Sequence, residues 1–424
     1  MKRLSITRPV DSVLQNRINK SIIFNYLRVH GPLYRAKISK ELHISVPAVS
    51  RVIETLISEG YVIETEKIRT ENGKLTSQYQ VNSERGIVIG VDLIKENIEI
   101  AISNLSGEIL FLHHGFKFFD KIDVTKELIN EIEEALNQYC QHRMVARKIV
   151  DLKGIGVGIP AVTDLESGAV VNMPLYGSLQ GLNLKDDLEK KFSVPVYIEN
   201  VVRLSALGEK NYGEGKRYKD IVFFEVSNGI GAGIIIDNHL VRGSYGSAGE
   251  IGFSIFDSGK FGFKNKTKGY LESVASVESI KAKAIEKVRS GSKTSILDLV
   301  DNAIAQITPA VVCIAAAKGD IVANEVLNEI VDHLSLSMIQ LILILNPEII
   351  VLGGDICRLP NIESLFLNPI IKNVKTAIPF DPPPIRISTL DENAGVIGAS
   401  CLAIEALLTG EFPYAMEHGT LTRN

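Results

Sequence analysis

The 424-residue chain has only four cysteines, Cys140, Cys313, Cys357 and Cys401, scattered with no paired spacing. That scarcity excludes a disulfide framework and a cysteine-based zinc site, and leaves four ordinary buried thiols. A long apolar run is also missing. The longest, Leu334 to Leu345, is interrupted by Ser335, Ser337 and Gln340. It is shorter than the roughly 18 residues a membrane-spanning helix needs, so a buried core helix is expected there and no membrane association. Lys2, Arg3 and Arg8 near the N-terminus are followed by no apolar stretch, which argues against a secretory signal and for a cytoplasmic protein. A strong excess of either charge is absent too, the net balance being −4.

At this length, and with 45% hydrophobic residues, the chain can bury more than one core. The weak net charge conceals a division. Residues 1 to 82 hold 13 Lys and Arg against 7 Asp and Glu, a balance of +6, and the remainder holds 33 against 43, a balance of −10. A small basic segment ahead of a larger acidic body suits a nucleic-acid-binding module joined to a regulatory or catalytic domain; a merely solvated basic face is equally compatible with charge alone.

The pattern inside the basic segment favours the first reading. Ile18, Ile22, Ile23, Tyr26 and Leu27 recur at helical spacing between Asn16 and Val29, and Gly31-Pro32 ends that helix. Arg35 to Leu42 forms a second, short helix. His43-Ile44 turns sharply into a third, with Ser45 placed to cap it, Pro47 in its first turn and Gly60 at its end. In this third helix Val49, Val52, Ile53, Leu56 and Ile57 make the buried stripe, leaving Pro47, Ala48, Ser50 and Arg51 outward. Small residues let a helix approach base edges closely, and arginine pairs bidentately with guanine. Tyr61 to Ile68 and Leu75 to Val81 then read as strands joined through Glu71-Asn72-Gly73-Lys74, a hairpin signal. Together these elements predict a winged helix-turn-helix over residues 1–82. Its expected contacts to double-stranded DNA are Arg35, Ser45, Pro47, Ala48, Ser50 and Arg51, with Arg69 and Lys74 on the wing. For the last two, a solubilising charged tip is the competing reading.

From Ser83 to Gly86 the pattern changes. Ile87 to Leu93, Asn97 to Ser103 and Glu108 to Phe116 form a β-meander, and a helix follows from about Asp123 to His142. Strands at Gly154 to Ile159, Pro195 to Glu199, Ile221 to Val226 and Ile349 to Leu352 then alternate with helical segments, which specifies an α/β body.

Several segments of that body carry a resemblance. Gly158-Ile159-Pro160 leading to Asp164, Ile198-Glu199-Asn200, Ser227-Asn228-Gly229-Ile230-Gly231-Ala232-Gly233, Gly246-Ser247-Ala248-Gly249-Glu250-Ile251-Gly252 and Leu271-Glu272-Ser273 together resemble the ROK family of repressors and sugar kinases. With the N-terminal winged helix, the chain is most similar to the family's branch of xylose and N-acetylglucosamine repressors. The resemblance implies a two-lobed, actin-like sugar-kinase fold over residues 83–424, with a ligand cleft between lobes and a homodimer or higher homo-oligomer. Lobe 1 is expected over about residues 86–205 plus 393–424, with the helix near Asn393 to Leu408 returning to it, and lobe 2 over about 206–392.

The chain departs from the family pattern in telling places. Where kinases of the family carry an aspartate as general base after Glu-Asn, it has Val201, which cannot accept a proton. The first phosphate loop, glycine-rich in the kinases, reads Asp92-Leu93-Ile94-Lys95-Glu96, where bulk and negative charge oppose a phosphate. Gly353-Gly354, which would lie near the adenosine in a kinase, reads better as a tight turn, and Gly229, Gly231 and Gly233 as glycines at a close backbone approach. Phosphoryl transfer is therefore not expected. The positions of the family's structural zinc ligands are Phe253, Phe263, Asn265 and Tyr270, so no metal or other cofactor is expected and a small hydrophobic cluster takes its place. Asn200, Glu250 and Glu272 match positions that hold sugar hydroxyls in similar proteins, though a surface or helix-cap role is open to each. The combined expectation is a sequence-specific repressor of sugar-metabolism genes, released from its operator by a sugar effector. An active ATP-dependent sugar kinase and a repressor governed by a protein partner are the alternatives.

Overall fold

The computed structural model describes residues 12–70, 73–93, 97–117, 123–163, 170–172, 183–263 and 268–408. The chain divides into two compact units: Met1–Gly158 with Asn183–Glu199 and Ala399–Asn424, and Ile159–Leu182 with Asn200–Gly398.

Unit 1 opens with α1 (Ser12–His30), α2 (Arg35–Leu42), α3 (Val46–Ser58) and the hairpin β1 (Val62–Arg69) and β2 (Leu75–Val81). Helix α1 starts earlier than its apolar periodicity suggests. Between α2 and α3, His43 takes a left-handed conformation (φ 55°), which makes the corner sharp. Ile23, Phe24, Leu27, Ile38, Val49, Val52, Ile53, Leu56 and Val62 close the small core, whereas Ile57, assigned to that stripe from sequence, is exposed. Leu33 and Tyr79 exchange backbone hydrogen bonds, so the α1 to α2 connection is bridged to β2 at this one pair. The wing's loop is longer than a two-residue turn. Thr70 N donates to Lys74 O, and Gly73 supplies the positive φ; Glu71 and Asn72 lie outside the described residues.

The winged helix clusters with the first sheet and does not form a compact unit of its own. That sheet comprises β3 (Ile87–Asp92), β4 (Asn97–Asn104), β5 (Ile109–Lys117), β6 (Leu152–Ile159) and, later in the chain, β9 (Val196–Asn200), in the order β5-β4-β3-β6-β9. Helices α4 (Val124–Arg143), capped by Asp123, and α5 (Leu184–Phe192), capped by Asn183, accompany it. The two-residue β7 (Val162–Thr163) pairs with β8 (Val170–Asn172), and both belong to unit 2.

Unit 2 holds α6 (Val201–Tyr212), β10 (Ile221–Val226), β11 (Ile230–Ile236), β12 (His239–Leu240), α7 (Tyr270–Ala275), α8 (Val277–Arg289), α9 (Pro309–Ala317), α10 (Ile321–Leu345), β13 (Ile349–Gly353), α11 (Asn368–Ala377) and β14 (Ile385–Ile387). Its sheet runs β12-β11-β10-β13-β14. Each five-stranded sheet therefore places its third, second, first, fourth and fifth strands in that spatial order, the first three antiparallel, with the fourth joining the first in parallel. This duplicated topology is the actin-like arrangement. The last helix, α12 (Ala394–Ala406), contributes residues to both units.

Helix α10 is longer than the apolar run that suggested it, and is the one helix among the described residues long and apolar enough to cross a membrane. Its buried side chains, from Val322 and Val326 through Leu334 and Met338 to Ile342, fill the core of unit 2, while Glu325, Glu329 and Asp332 keep the opposite side polar. The four cysteines are free thiols, and burial pushes Cys313, Cys357 and Cys401 up to about 12.

Candidate functional site

Two surfaces carry the residues singled out by sequence, one in each unit. In unit 1, burying Val49, Val52, Ile53 and Leu56 turns the opposite side of α3 outward by helical geometry. Ser45, Pro47 and Arg51 are exposed there, and Ala48 and Ser50 half-buried. Among the described residues, the Arg51 guanidinium has no hydrogen-bond or ion-pair partner. Ser45 stands at the N-cap position, but its hydroxyl makes no capping bond, so capping is not what this side chain does. Arg35 is differently employed. It stacks over the Tyr79 ring at 5.1 Å and pairs with Glu54 at 3.3 Å, contacts that join α2 to the wing and to α3. On the wing, Arg69 folds back to the Gly73 carbonyl at 3.4 Å and Lys74 is exposed.

Unit 2 holds Asn200, Glu250 and Glu272, and of these Glu250 and Glu272 are near enough to interact electrostatically. Asn200 is a helix cap. Its Oδ1 accepts from the Val202 and Arg203 amides, and its Nδ2 donates to the Ala161 carbonyl at 3.2 Å. Val201, in the position of the family's catalytic base, is the first residue of α6 and buried. Glu272 also serves the backbone, accepting from Ile230 N at 3.1 Å and Gly269 N at 2.8 Å. Glu250 differs from both. No described group hydrogen-bonds its carboxylate, and burial holds it above the ordinary glutamate range, an effect that Arg203 opposes and Glu272 reinforces. A desolvated carboxylate without a partner is suited to paired hydroxyl donors.

Glycines shape this site. A Cβ on Gly233 would lie 2.6 Å from the Val202 carbonyl, so β11 and α6 touch only because that side chain is missing. Gly249 adopts φ +89°, and a Cβ there would overlap the Ala232 carbonyl, while its own carbonyl accepts from Ala232 N at 2.8 Å. Beside the β10–β11 turn, Gly354 takes φ +90° after β13, where a Cβ would lie 2.6 Å from the Val226 carbonyl.

The loop that follows Glu250 offers no thiolate or imidazole at the zinc positions. Phe263 packs edge to face on the buried Tyr270 at 5.7 Å, Phe253 is exposed, and Asn265 lies outside the described residues. Of the residues expected to form a hydrophobic cluster, Phe263 touches Tyr270 and the ring of Phe253 stands apart from that pair. Ile94, Lys95 and Glu96 of the altered phosphate loop also lie outside the described residues.

Sequence reading missed Arg203, which donates from Nη1 to the carbonyls of Gly246 at 2.8 Å and Ala248 at 3.4 Å. A charged residue amid Val201, Val202 and Leu204 at the start of a buried helix was the available signal.

The chain as a whole is similar to known proteins. The model of the ROK family matches residues 88–406. A xylose repressor of Caldicellulosiruptor bescii is 29% identical over 93% of this chain and 98% of its own. The DNA-binding transcriptional dual regulator NagC of Escherichia coli is 26% identical over 94% of this chain and 95% of its own. Among solved structures, a ROK family transcriptional regulator described as a homologue of the Escherichia coli MLC protein superimposes with a TM-score of 0.78 at 25% identity, covering 93% of this chain and 97% of that one.

Proposed function

This chain belongs to the ROK family, and on that premise we propose that it is a DNA-binding repressor of sugar-metabolism genes, controlled by a sugar held at Glu250 in a body that does not phosphorylate it. The observation that carries the reading is the face of α3. A buried stripe on one side leaves Arg51, Ser45 and Pro47 exposed on the other, behind a left-handed corner at His43, which suits a recognition helix entering a major groove. Two copies reading two half-sites match the symmetry such operators have, and the protein acts where the chromosome lies, in the cytoplasm.

Effector binding in unit 2 and operator binding in unit 1 are linked equilibria, so a sugar that lowers operator affinity is itself bound more weakly by the operator complex. Val201 supports the non-catalytic part, because an isopropyl group offers no lone pair for the proton of an attacking hydroxyl. The loop carrying Phe253, Phe263 and Tyr270 does not fit zinc, which favours thiolate and imidazole donors, and we read it as held by packing.

The test is to select bound fragments from genomic DNA with the full chain, then titrate the operator complex with D-xylose and N-acetyl-D-glucosamine, the sugars of the relatives' names. Operator binding that weakens with one sugar is the expected result; no sequence preference at physiological salt would overturn the reading. In a coupled assay with ATP, turnover of any bound sugar would overturn the non-catalytic part.

A further inference from the structure

We propose that Arg203 is the positioning residue of the effector site, holding from the first turn of α6 the glycine-rich loop that presents Glu250 to the sugar. The proposal rests on the effector reading above and assigns the loop's geometry to one side chain. Arg203 is 1% exposed and heads the largest fully buried side chains of the described chain. Removing a guanidinium from water costs several kcal/mol unless specific partners compensate. Here the compensation is directional, because Nη1 takes the carbonyls of Gly246 and Ala248, on either side of Ser247.

Inside that loop the backbone makes only short-range turns, with Gly246 N donating to Gly243 O and Glu250 N to Ser247 O, both at 3.4 Å, among the described residues. Gly243, Gly246 and Gly249 all take positive φ, at 72°, 68° and 89°, within seven residues. Glycine gives such a segment many accessible conformations, so its native one must be imposed from outside. Ala248 N donates to Arg242 O at its start, and Gly249 O accepts from Ala232 N at its end. Between those anchors Ser247 Oγ donates to Tyr245 O at 3.3 Å within the loop, and Arg203 is the side chain that reaches the loop's carbonyls from α6. Glu250 follows directly, and the charged groups facing it are Arg203 from α6 and Glu272 from α7. Both oxygens of Glu272 already accept from backbone amides, so its charge is fixed in place. Arg203 is then the group that both places Glu250 and keeps it ionised against Glu272.

The two functions separate by experiment on the full chain. Calorimetric titration with D-xylose, D-glucose and N-acetyl-D-glucosamine identifies the sugar that binds, and the titration is repeated between pH 5 and 8 on Arg203→Met and Arg203→Lys. Arg203→Met is expected to weaken binding at least tenfold and to move the acid limb of the pH profile to higher pH. Arg203→Lys keeps the charge without the planar fork, so it is expected to restore the acid limb while leaving affinity reduced. A folded Arg203→Met protein with unchanged affinity and pH profile would overturn the proposal. Amide hydrogen exchange of residues 243–250 provides a second readout that needs no sugar. Arg203→Lys, which preserves the buried charge if Arg203→Met does not fold, is expected to exchange faster there, and unchanged exchange would overturn the proposal. If wild-type protein binds no sugar while exchange behaves as expected, the effector reading fails and the assignment of Arg203 to the loop stands.

Discussion

The guanidinium of Arg28 on α1 lies 3.2 Å from the carboxylate of Glu405 at the end of α12, a pair separated by 377 positions in the chain. Ser21 and Asn25, two turns and one turn earlier on α1, both aim donors at the Glu405 main-chain carbonyl. The winged helix thereby caps a carbonyl in the last turn of α12, next to the Ala406 carbonyl that accepts from Tyr197 at 3.4 Å, and sets a cation at the negative end of that helix. Breaking the pair takes the cation away from a carboxylate that is largely buried. Arg28→Met is expected to cost about 3 kcal/mol of stability and to weaken operator binding by loosening the winged helix within its unit. Thermal unfolding together with fluorescence anisotropy on operator DNA checks both, and full operator affinity in a destabilised variant would count against the second.

Arg51 and Lys74 are expected to fail differently. Arg51→Ala removes a side chain placed to read a base edge, and should cost about 1–3 kcal/mol at the preferred operator while flattening the preference among operator variants. Lys74→Ala should weaken all sequences alike and reduce the salt dependence of binding by about one phosphate contact. Binding isotherms across salt concentrations on two or three operator variants distinguish the two patterns.

Glu250 should trade stability for function. Its carboxyl is held above the ordinary glutamate range, so the folded state retains a proton that the unfolded chain releases, and stability falls as pH rises from that range through the raised value. Glu250→Gln removes the charge that burial penalises. The variant is expected to melt higher than wild type at neutral pH, with the gap closing as pH falls through the ordinary glutamate range, and to lose sugar binding. Calorimetric melting from pH 4 to 7 follows the first effect and titration the second; a variant that keeps wild-type sugar affinity would remove Glu250 from the site.

Gly249→Ala tests the loop by backbone alone. A left-handed alanine costs about 1–2 kcal/mol before any overlap with the Ala232 carbonyl is counted. The variant should melt lower and lose sugar response while still binding operator, because the winged helix belongs to the other unit. Anisotropy with and without sugar reads the response, and an intact response would show that the loop tolerates a different path.

Much of this protein was written in local pattern. The apolar periodicity of α3, the turn signals before it and the alternation of strands with helices depend on neighbouring residues only, so helix-turn-helix and α/β body could be read directly, with element ends shifted by a few positions. The substitution of Val201 for a base is likewise a statement about one residue's chemistry. Tertiary structure decided what each polar side chain was already occupied with. Asn200, Glu250 and Glu272 look equivalent as sequence, yet folding commits Asn200 and Glu272 to backbone amides and leaves Glu250 with no hydrogen-bond donor among the described residues, facing only the charges of Arg203 and Glu272. Arg35 and Arg51 are both arginines of a basic segment, and only the packing of Tyr79 and Glu54 against Arg35 separates them. Arg28 with Glu405, and Arg203 with the Gly246 carbonyl, are chosen by the path of the chain across 377 and 43 positions. Hydrogen bonding saturates, so a side chain's availability is a property of its surroundings, and those are set only once distant segments meet.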